Sequence, residues 1–324
     1  MSKTLLNIQL GLSSIVLPVE IIIGIIANAL VMIVWQFGAK SKGMPFSRYC
    51  STLALVDLIV LAFPATLRVK FIFTDDVLSG VPNLCRFQNF VVYAMIQNSN
   101  WISAILTLER TLTILFPVMF QTQGIKKRSK VVLILLIIYT SLNNIPHLIY
   151  AKYNDKMICH WDELYYEKLF TYELVMDTFL VVTLPIVLII TCNVVTLVVL
   201  CTCRNQTRND SRTHVVKTFK QLTLWTGMTL FIANVMWLFC VLIIIGVVSV
   251  QEGDYANLVQ IANVMLYLNS SVNPLIYFLV CKPVREDFTS GFRRVFAALL
   301  DRNSRRLDHD ESVAASVTSI TVLS

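Results

Sequence analysis

The sequence predicts an all-α membrane protein: a bundle of seven transmembrane helices, followed by a short amphipathic interfacial helix. Three observations carry that prediction. Hydrophobic residues make up 56% of the 324-residue chain and charged residues only 15%, against about 25% charged in a soluble domain. Mean hydropathy is +0.68. The apolar residues fall in long runs with short gaps, and each run is long enough to cross a bilayer as a helix.

The runs are Ser14–Phe37, Arg48–Lys70, Asn83–Phe116, Val131–Tyr150, Phe170–Cys201, Lys217–Val248 and Asn257–Val280. Short gaps place successive helices antiparallel. Lys and Arg settle the direction, because basic residues collect on the cytoplasmic side. One side holds Lys40, Lys42, Arg48, then Lys126, Lys127, Arg128, Lys130, then Arg204, Arg208, Arg212, Lys217 and Lys220, and most of the basic tail. The other holds fewer: Lys3, Arg68, Lys70, Arg86, Lys152, Lys156 and Lys168. The chain is therefore expected to be a multi-pass protein of the plasma membrane, with residues 1–13 a short extracellular N-terminus. The seven-helix membrane region is 14–296, and 297–324 is a polar cytoplasmic tail. The first run is too long for the apolar core of a cleavable signal. The triplets at Asn205 and Asn209 fall on the cytoplasmic side and that at Asn269 inside a helix, so none is expected to carry sugar.

After the seventh run, Pro283 suits the first turn of a helix. Phe288, Phe292 and Val295 share one face with Arg285, Arg293 and Arg294 beside it. This is the pattern of an amphipathic helix at the inner leaflet, over about 283–296.

Several function classes are excluded. The net charge of +7 flanks apolar runs, so it does not indicate nucleic acid. No internal repeat is visible, which argues against a transporter, the remote alternative. The 4 His, at 147, 160, 214 and 309, lie on both sides of the membrane and cannot gather into a zinc or acid–base centre. An enzyme is not expected, and neither is a cofactor beyond a structural sodium ion.

The polar residues inside the runs carry the mechanism. Asn269-Ser270-Ser271-Val272-Asn273-Pro274-Leu275-Ile276-Tyr277 sits mid-membrane. Pro274 removes a backbone donor and frees a carbonyl, which Asn273 or a water can satisfy. Asp57 lies at similar depth in the second run, where a carboxylate needs partners or a cation. Ser99, Asn269, Ser270, Asn273 and Asn28 are the partners at hand. One carboxylate with neutral oxygens suits a small hard cation such as sodium; a protonated Asp57 in a packing network is the other reading. Glu109-Arg110 closes the third run and is either a switch or an interfacial pair. Cys85 begins the third run and Cys159 lies between the fourth and fifth. Both fall on the oxidising side, so a disulfide is expected there, while the remaining cysteines of the 8 are expected reduced.

These residues, in this order, resemble the rhodopsin-like (class A) G-protein-coupled receptors. The resemblance covers Asn28, Asp57, Cys85, Glu109-Arg110, Phe116-Pro117, Pro185 and Asn273-Pro274-Leu275-Ile276-Tyr277. It implies a sodium pocket at Asp57, Ser99, Asn269, Ser270 and Asn273. It implies a G-protein switch at Glu109, Arg110 and Tyr277, with Arg110 engaging the G protein and Tyr277 turning inward on activation. Heterotrimeric G protein is then a partner, with arrestin at the Ser/Thr-rich tail. The chain departs from the family at four places. Thr111 replaces the usual Tyr, Asn193 replaces a Tyr of the fifth helix, the fourth helix lacks its usual Trp, and the sixth lacks Cys-Trp-x-Pro around Phe231 and Trp237.

The ligand is expected at the outer mouth of the bundle. Val92 and Tyr93 stand where amine receptors carry Asp, so a salt-bridged amine is not expected. Candidates to line the mouth are Glu20, Arg68, Gln88, Tyr93, Gln97, Glu173, Asp177 and Asn263, and Glu20 can instead pair with Arg68. The loop 150–168 has strand-like Lys156-Met157-Ile158-Cys159 and several acids. It resembles the hairpin of peptide receptors. A peptide ligand is one reading; a small-molecule or chemosensory ligand is the other.

Overall fold

The computed structural model describes residues 7, 10–44, 46–67, 82–116, 122–153, 159–161, 165, 171–172, 175–203 and 252–293. The sixth apolar run, with Phe231 and Trp237, lies outside these residues. So do Arg68, Glu173, Pro117, the triplets at Asn205 and Asn209, the chain beyond 293, and the side chains of Cys159, Asp177 and Asn263.

The described chain is a helical bundle with one small sheet. The first span is Leu12–Phe37 and the second Ser47–Ala65. The third is the long helix Pro82–Leu115. The fourth runs from Thr122 to Tyr150, broken at Asn144 between Thr122–Asn143 and Ile145–Tyr150. The fifth comprises Met176–Thr183 and Leu184–Cys203, and the seventh is Glu252–Val280. Lys282–Arg293 then turns away from the seventh span by 92°. Leu12–Phe37, Ser47–Ala65, Lys127–Tyr150 and Phe179–Val199 are each long and apolar enough to cross a membrane, and the bent pair at the end qualifies as one span. The third helix is long enough, but Gln97, Asn98, Asn100, Glu109 and Arg110 make it more polar.

The packing is that of a protein dissolved in lipid. Ile22, Ile33, Leu135, Leu142, Val187 and Leu279 face outward, whereas Asn28, Asp57, Asn98, Asn100 and Asn273 are buried. Lipid-facing backbone must satisfy itself within the helix, so polar side chains collect where helices meet. One apolar cluster joins Trp35, Tyr49, Leu53, Ile102, Leu136 and Tyr277 at one end of the bundle. A second joins Leu17, Ile21, Leu61, Val264 and Tyr267 at the other. Gly24 allows the close approach of the first span: a Cβ there would meet Leu61 of the second span and Ser271 Oγ of the seventh at 2.8 Å.

Prolines loosen the helices, and neighbouring spans repair them. A helical Pro leaves the carbonyl four residues back without its donor. For Pro274 that carbonyl is Ser270 O, and Asn28 Nδ2 of the first span donates to it at 2.9 Å. Of the two partners the sequence suggests for this carbonyl, Asn273 is not one: it faces Asp57 instead. For Pro185 the carbonyl is Val181 O, at the end of the wide π turn Met176–Thr183. Asn100 Nδ2 of the third span donates to it at 3.0 Å, and Trp101 Nε1 reaches the neighbouring Leu180 O at 2.9 Å.

The fourth span carries no Trp, and polar bonds tie it to the third. Asn98 Nδ2 donates to Thr140 Oγ1 at 2.7 Å, and Asn144 Nδ2 to Gln97 Oε1 at 2.7 Å. Ala151–Tyr153 (β1) and Cys159–Trp161 (β2) form an antiparallel pair that aligns Ala151 with Trp161 and Tyr153 with Cys159. Cys159 is in a strand; the rest of the strand-like stretch, residues 156–158, lies outside the described ones.

Candidate functional site

Asp57 is fully buried and sits where three spans converge. Its Oδ1 accepts from Ser99 Oγ of the third span at 2.7 Å and from Ser270 Oγ of the seventh at 3.0 Å. Its Oδ2 accepts from Asn273 Nδ2 at 2.9 Å. The second span positions the carboxylate just before its own π turn, Leu61–Ala65, which contains Pro64. The structure therefore gathers Asp57, Ser99, Ser270 and Asn273, as the sequence suggests. Asn269 is buried beside them, and its Oδ1 has no hydrogen-bond partner among the described residues.

This donor set fits a small hard cation in part. The Asp57 carboxylate, two hydroxyl oxygens and the unmatched Asn269 oxygen are suitable ligands. Asn273 differs from the expectation, because it gives its amide N–H to Asp57 rather than an oxygen to a cation. Among the described residues no group of three or more His, Cys, Asp and Glu gathers as a transition-metal centre would need.

Toward the end of the bundle that holds loop 38–46, Glu109 and Arg110 are both buried. They do not act on each other in the way the adjacent pair suggests. Glu109 accepts from Arg128 Nε at 2.9 Å and from Nη2 at 2.7 Å, a bidentate ion pair with the fourth span. Arg110 instead lies over the Phe46 ring, 5.8 Å from its centroid, and its Nε has no partner among the described residues. Tyr277 is buried against Trp35, ring edge to face at 6.0 Å. Thr111 replaces the family's Tyr with a shorter link: its Oγ1 lies 2.9 Å from Thr196 Oγ1 and donates to Cys192 O at 3.2 Å, joining the third and fifth spans. No sequence signal singled out Arg128 or Thr196 for these roles, because both are contacts between distant helices.

At the opposite end, Cys85 is disulfide-bonded. Next to it, Arg86 Nε donates to Ala151 O of β1 at 3.2 Å, tying the hairpin to the third span. Cys50, Cys192 and Cys281 are free thiols. The candidate mouth residues divide. Gln97 is buried and accepts from Asn144, so its oxygen is already used. Tyr93 stacks on His147 with ring centroids 4.0 Å apart. Glu20 is buried on the first span, and its carbonyl accepts from Ser271 Oγ at 3.2 Å. Gln88 is half-buried at the start of the third span.

A family model for the seven-transmembrane receptors of the rhodopsin family matches residues 27–277. The chain belongs to the rhodopsin family of seven-transmembrane receptors. A search of curated proteins found no match. The match runs from the residue before Asn28 to Tyr277, so it spans both the Asp57 hub and the Arg110 end. The receptor is accordingly an all-α membrane bundle of the signalling class. An extracellular ligand and a G protein are the partners that membership implies in general.

Proposed function

We propose that this receptor converts binding of an extracellular peptide into activation of a heterotrimeric G protein, with its N-terminus outside the cell. The observation that carries the reading is the hairpin Ala151–Tyr153 and Cys159–Trp161, held to the third span beside the disulfide-bonded Cys85. A strand pair fixed at this end of the bundle suits an extended peptide, because strands offer backbone groups to pair with. Cys159 is the proposed partner of Cys85; their bond stabilises the rim by about 2–4 kcal/mol. Acids at 162, 163 and 167 favour a cationic peptide.

At the other end, Arg110 is the proposed G-protein contact, exposed when the bundle opens. Asp57, Ser99, Ser270 and Asn269 are the proposed holders of a sodium ion, with Asn273 bracing the carboxylate. Sodium supplies positive charge that offsets the burial of Asp57. The Ser/Thr tail is proposed to meet arrestin.

The test is a ligand screen in transfected cells with a G-protein dissociation readout, comparing cationic peptides with small organic and odorant-like molecules. Activation by a peptide, lost in Arg110→Ala at equal surface level and equal ligand binding, is the expected result. Activation only by small molecules overturns the peptide reading. Full signalling by Arg110→Ala overturns the assignment of the switch.

A further inference from the structure

The first span packs on the seventh along one stripe. Leu17, Ile21, Gly24, Asn28, Val31 and Trp35 are buried at steps of three and four, which is one face of a helix. Along that stripe the contact changes character at Pro274. Before the proline, Ser271 Oγ donates to Glu20 O at 3.2 Å and Asn28 Nδ2 to Ser270 O at 2.9 Å. Beyond it, no hydrogen bond joins the two spans among the described residues. The Trp35 ring instead meets the Tyr277 ring at 88°, with centroids 6.0 Å apart.

Both rings are enclosed, Trp35 at 3% exposure and Tyr277 at 2%. The Trp35 indole Nε1–H has no acceptor among the described residues, so Trp35 contributes its ring there and not its polar handle. A proline inside a helix removes a backbone bond and loosens the piece that follows. The next fixed point is Asp287, which accepts from the N–H groups of Lys40 and Ser41. Tyr277 lies between these two points, and the first span holds it by an aromatic edge.

We infer that Trp35 is the positioning residue for Tyr277: it keeps the tyrosine packed against the first span and sets how often the receptor leaves that state. The inference rests on the reading that Tyr277 turns inward on activation. An edge-to-face pair shifts a two-state ratio by roughly two- to tenfold. The hold comes from ring shape, so Phe replaces Trp35 and an aliphatic side chain does not.

Two thiols report the move. Cys50 and Cys281 are free and buried in the same apolar cluster as Trp35 and Tyr277, and Cys50 is within hydrogen-bond reach of Tyr277. Both lose cover when Tyr277 turns away. Cys192 is also free and buried, but it sits where the third span meets the fifth, its carbonyl accepting from Thr111 Oγ1.

The experiment is N-ethylmaleimide labelling of the purified full-length receptor, without ligand or G protein, read at each cysteine by mass spectrometry. Trp35→Leu is expected to speed labelling of Cys50 and Cys281 roughly two- to tenfold and to leave Cys192 unchanged. Trp35→Met, which keeps more of the volume, serves where Trp35→Leu does not fold. Trp35→Phe is expected to keep the wild-type rates. In a Tyr277→Ala background the cover is already gone, so Trp35→Leu should add nothing. Equal acceleration at Cys192 makes Trp35 a packing residue of the whole bundle and overturns the inference. So do wild-type rates in Trp35→Leu, rates in Trp35→Phe as fast as in Trp35→Leu, or an added effect of Trp35→Leu without Tyr277. Faster labelling of Cys50 and Cys281 with no rise in basal nucleotide exchange on an added G protein supports the inference and counts against the G-protein reading alone.

Discussion

Glu109 gives both carboxylate oxygens to Arg128, at 2.9 and 2.7 Å. That choice decides what its neighbour can do. An Arg held by an adjacent acid must break that pair before it meets anything else, whereas among the described residues Arg110 rests on the Phe46 ring and on buried thiol and phenol neighbours. A cation over a ring is worth about 0.5–2 kcal/mol, less than a bidentate ion pair in a dry site. Among the described residues, then, no carboxylate pair has to break before Arg110 moves. Arg128→Ala is expected to return Glu109 to Arg110 and to reduce G-protein activation roughly fivefold, a coupling of about 1 kcal/mol. The check is nucleotide exchange on the G protein at matched surface level. Unchanged exchange would make the Glu109–Arg128 pair a mere anchor of the fourth span.

Elements of this receptor are tied by polar groups placed where a helix is locally broken. Pro274 and Pro185 each free a carbonyl, and Asn28 and Asn100 from other spans meet them. The sequence made the breaks legible, because Pro inside an apolar run marks them and Asp57 at that depth demands partners. It did not identify the repairing residues, since Asn28 meets a carbonyl 242 positions away and Asn100 one 81 positions away only after the helices have packed. The same limit applies to Gln97 and Tyr93: both read as mouth residues, yet Asn144 and His147 of the fourth span engage them. The amphipathic helix was legible from its Phe and Arg spacing, and its anchor was not. Asp287 accepts from the N–H groups of Lys40 and Ser41, at 3.0 and 2.7 Å, and from Ser41 Oγ at 2.7 Å. Gly38 makes room, because a Cβ there would collide with that carboxylate. Burial pushes the Asp287 carboxyl up, but the bonds from Ser41 and Lys40 outweigh it and hold it below its ordinary 3.8. A depressed carboxyl stabilises the fold above its ordinary value and loses that contribution as pH falls through the lowered one. Asp287→Ala is expected to destabilise the receptor by about 1–3 kcal/mol at neutral pH. The gap from wild type, read as a difference in melting midpoint, should shrink below pH 3.8; a gap independent of pH would mean that the side chain acts through packing.

At the scale of the whole molecule, the described spans are organised around one buried carboxylate. Asp57 draws Ser99 from the third span and Ser270 and Asn273 from the seventh, and Asn28 joins the first span to the same turn of the seventh. An ionised carboxylate without a compensating charge is unfavourable there by several kcal/mol, and Asn269 Oδ1, without a partner among the described residues, is an oxygen that the proposed cation could use. A cation bound only by the folded bundle must stabilise it by mass action. It also weakens any state in which the seventh span has shifted, by the same factor that such a state weakens the cation. The most direct measurement is the melting midpoint of the purified receptor in sodium chloride and in choline chloride at equal ionic strength. The wild type is expected to melt several degrees higher in sodium, by roughly 2 °C or more per kcal/mol of binding. Asp57→Asn is expected to melt at one temperature in both salts. A wild type indifferent to sodium, or an Asp57→Asn variant that keeps the full difference, would contradict the assignment of a cation to this hub.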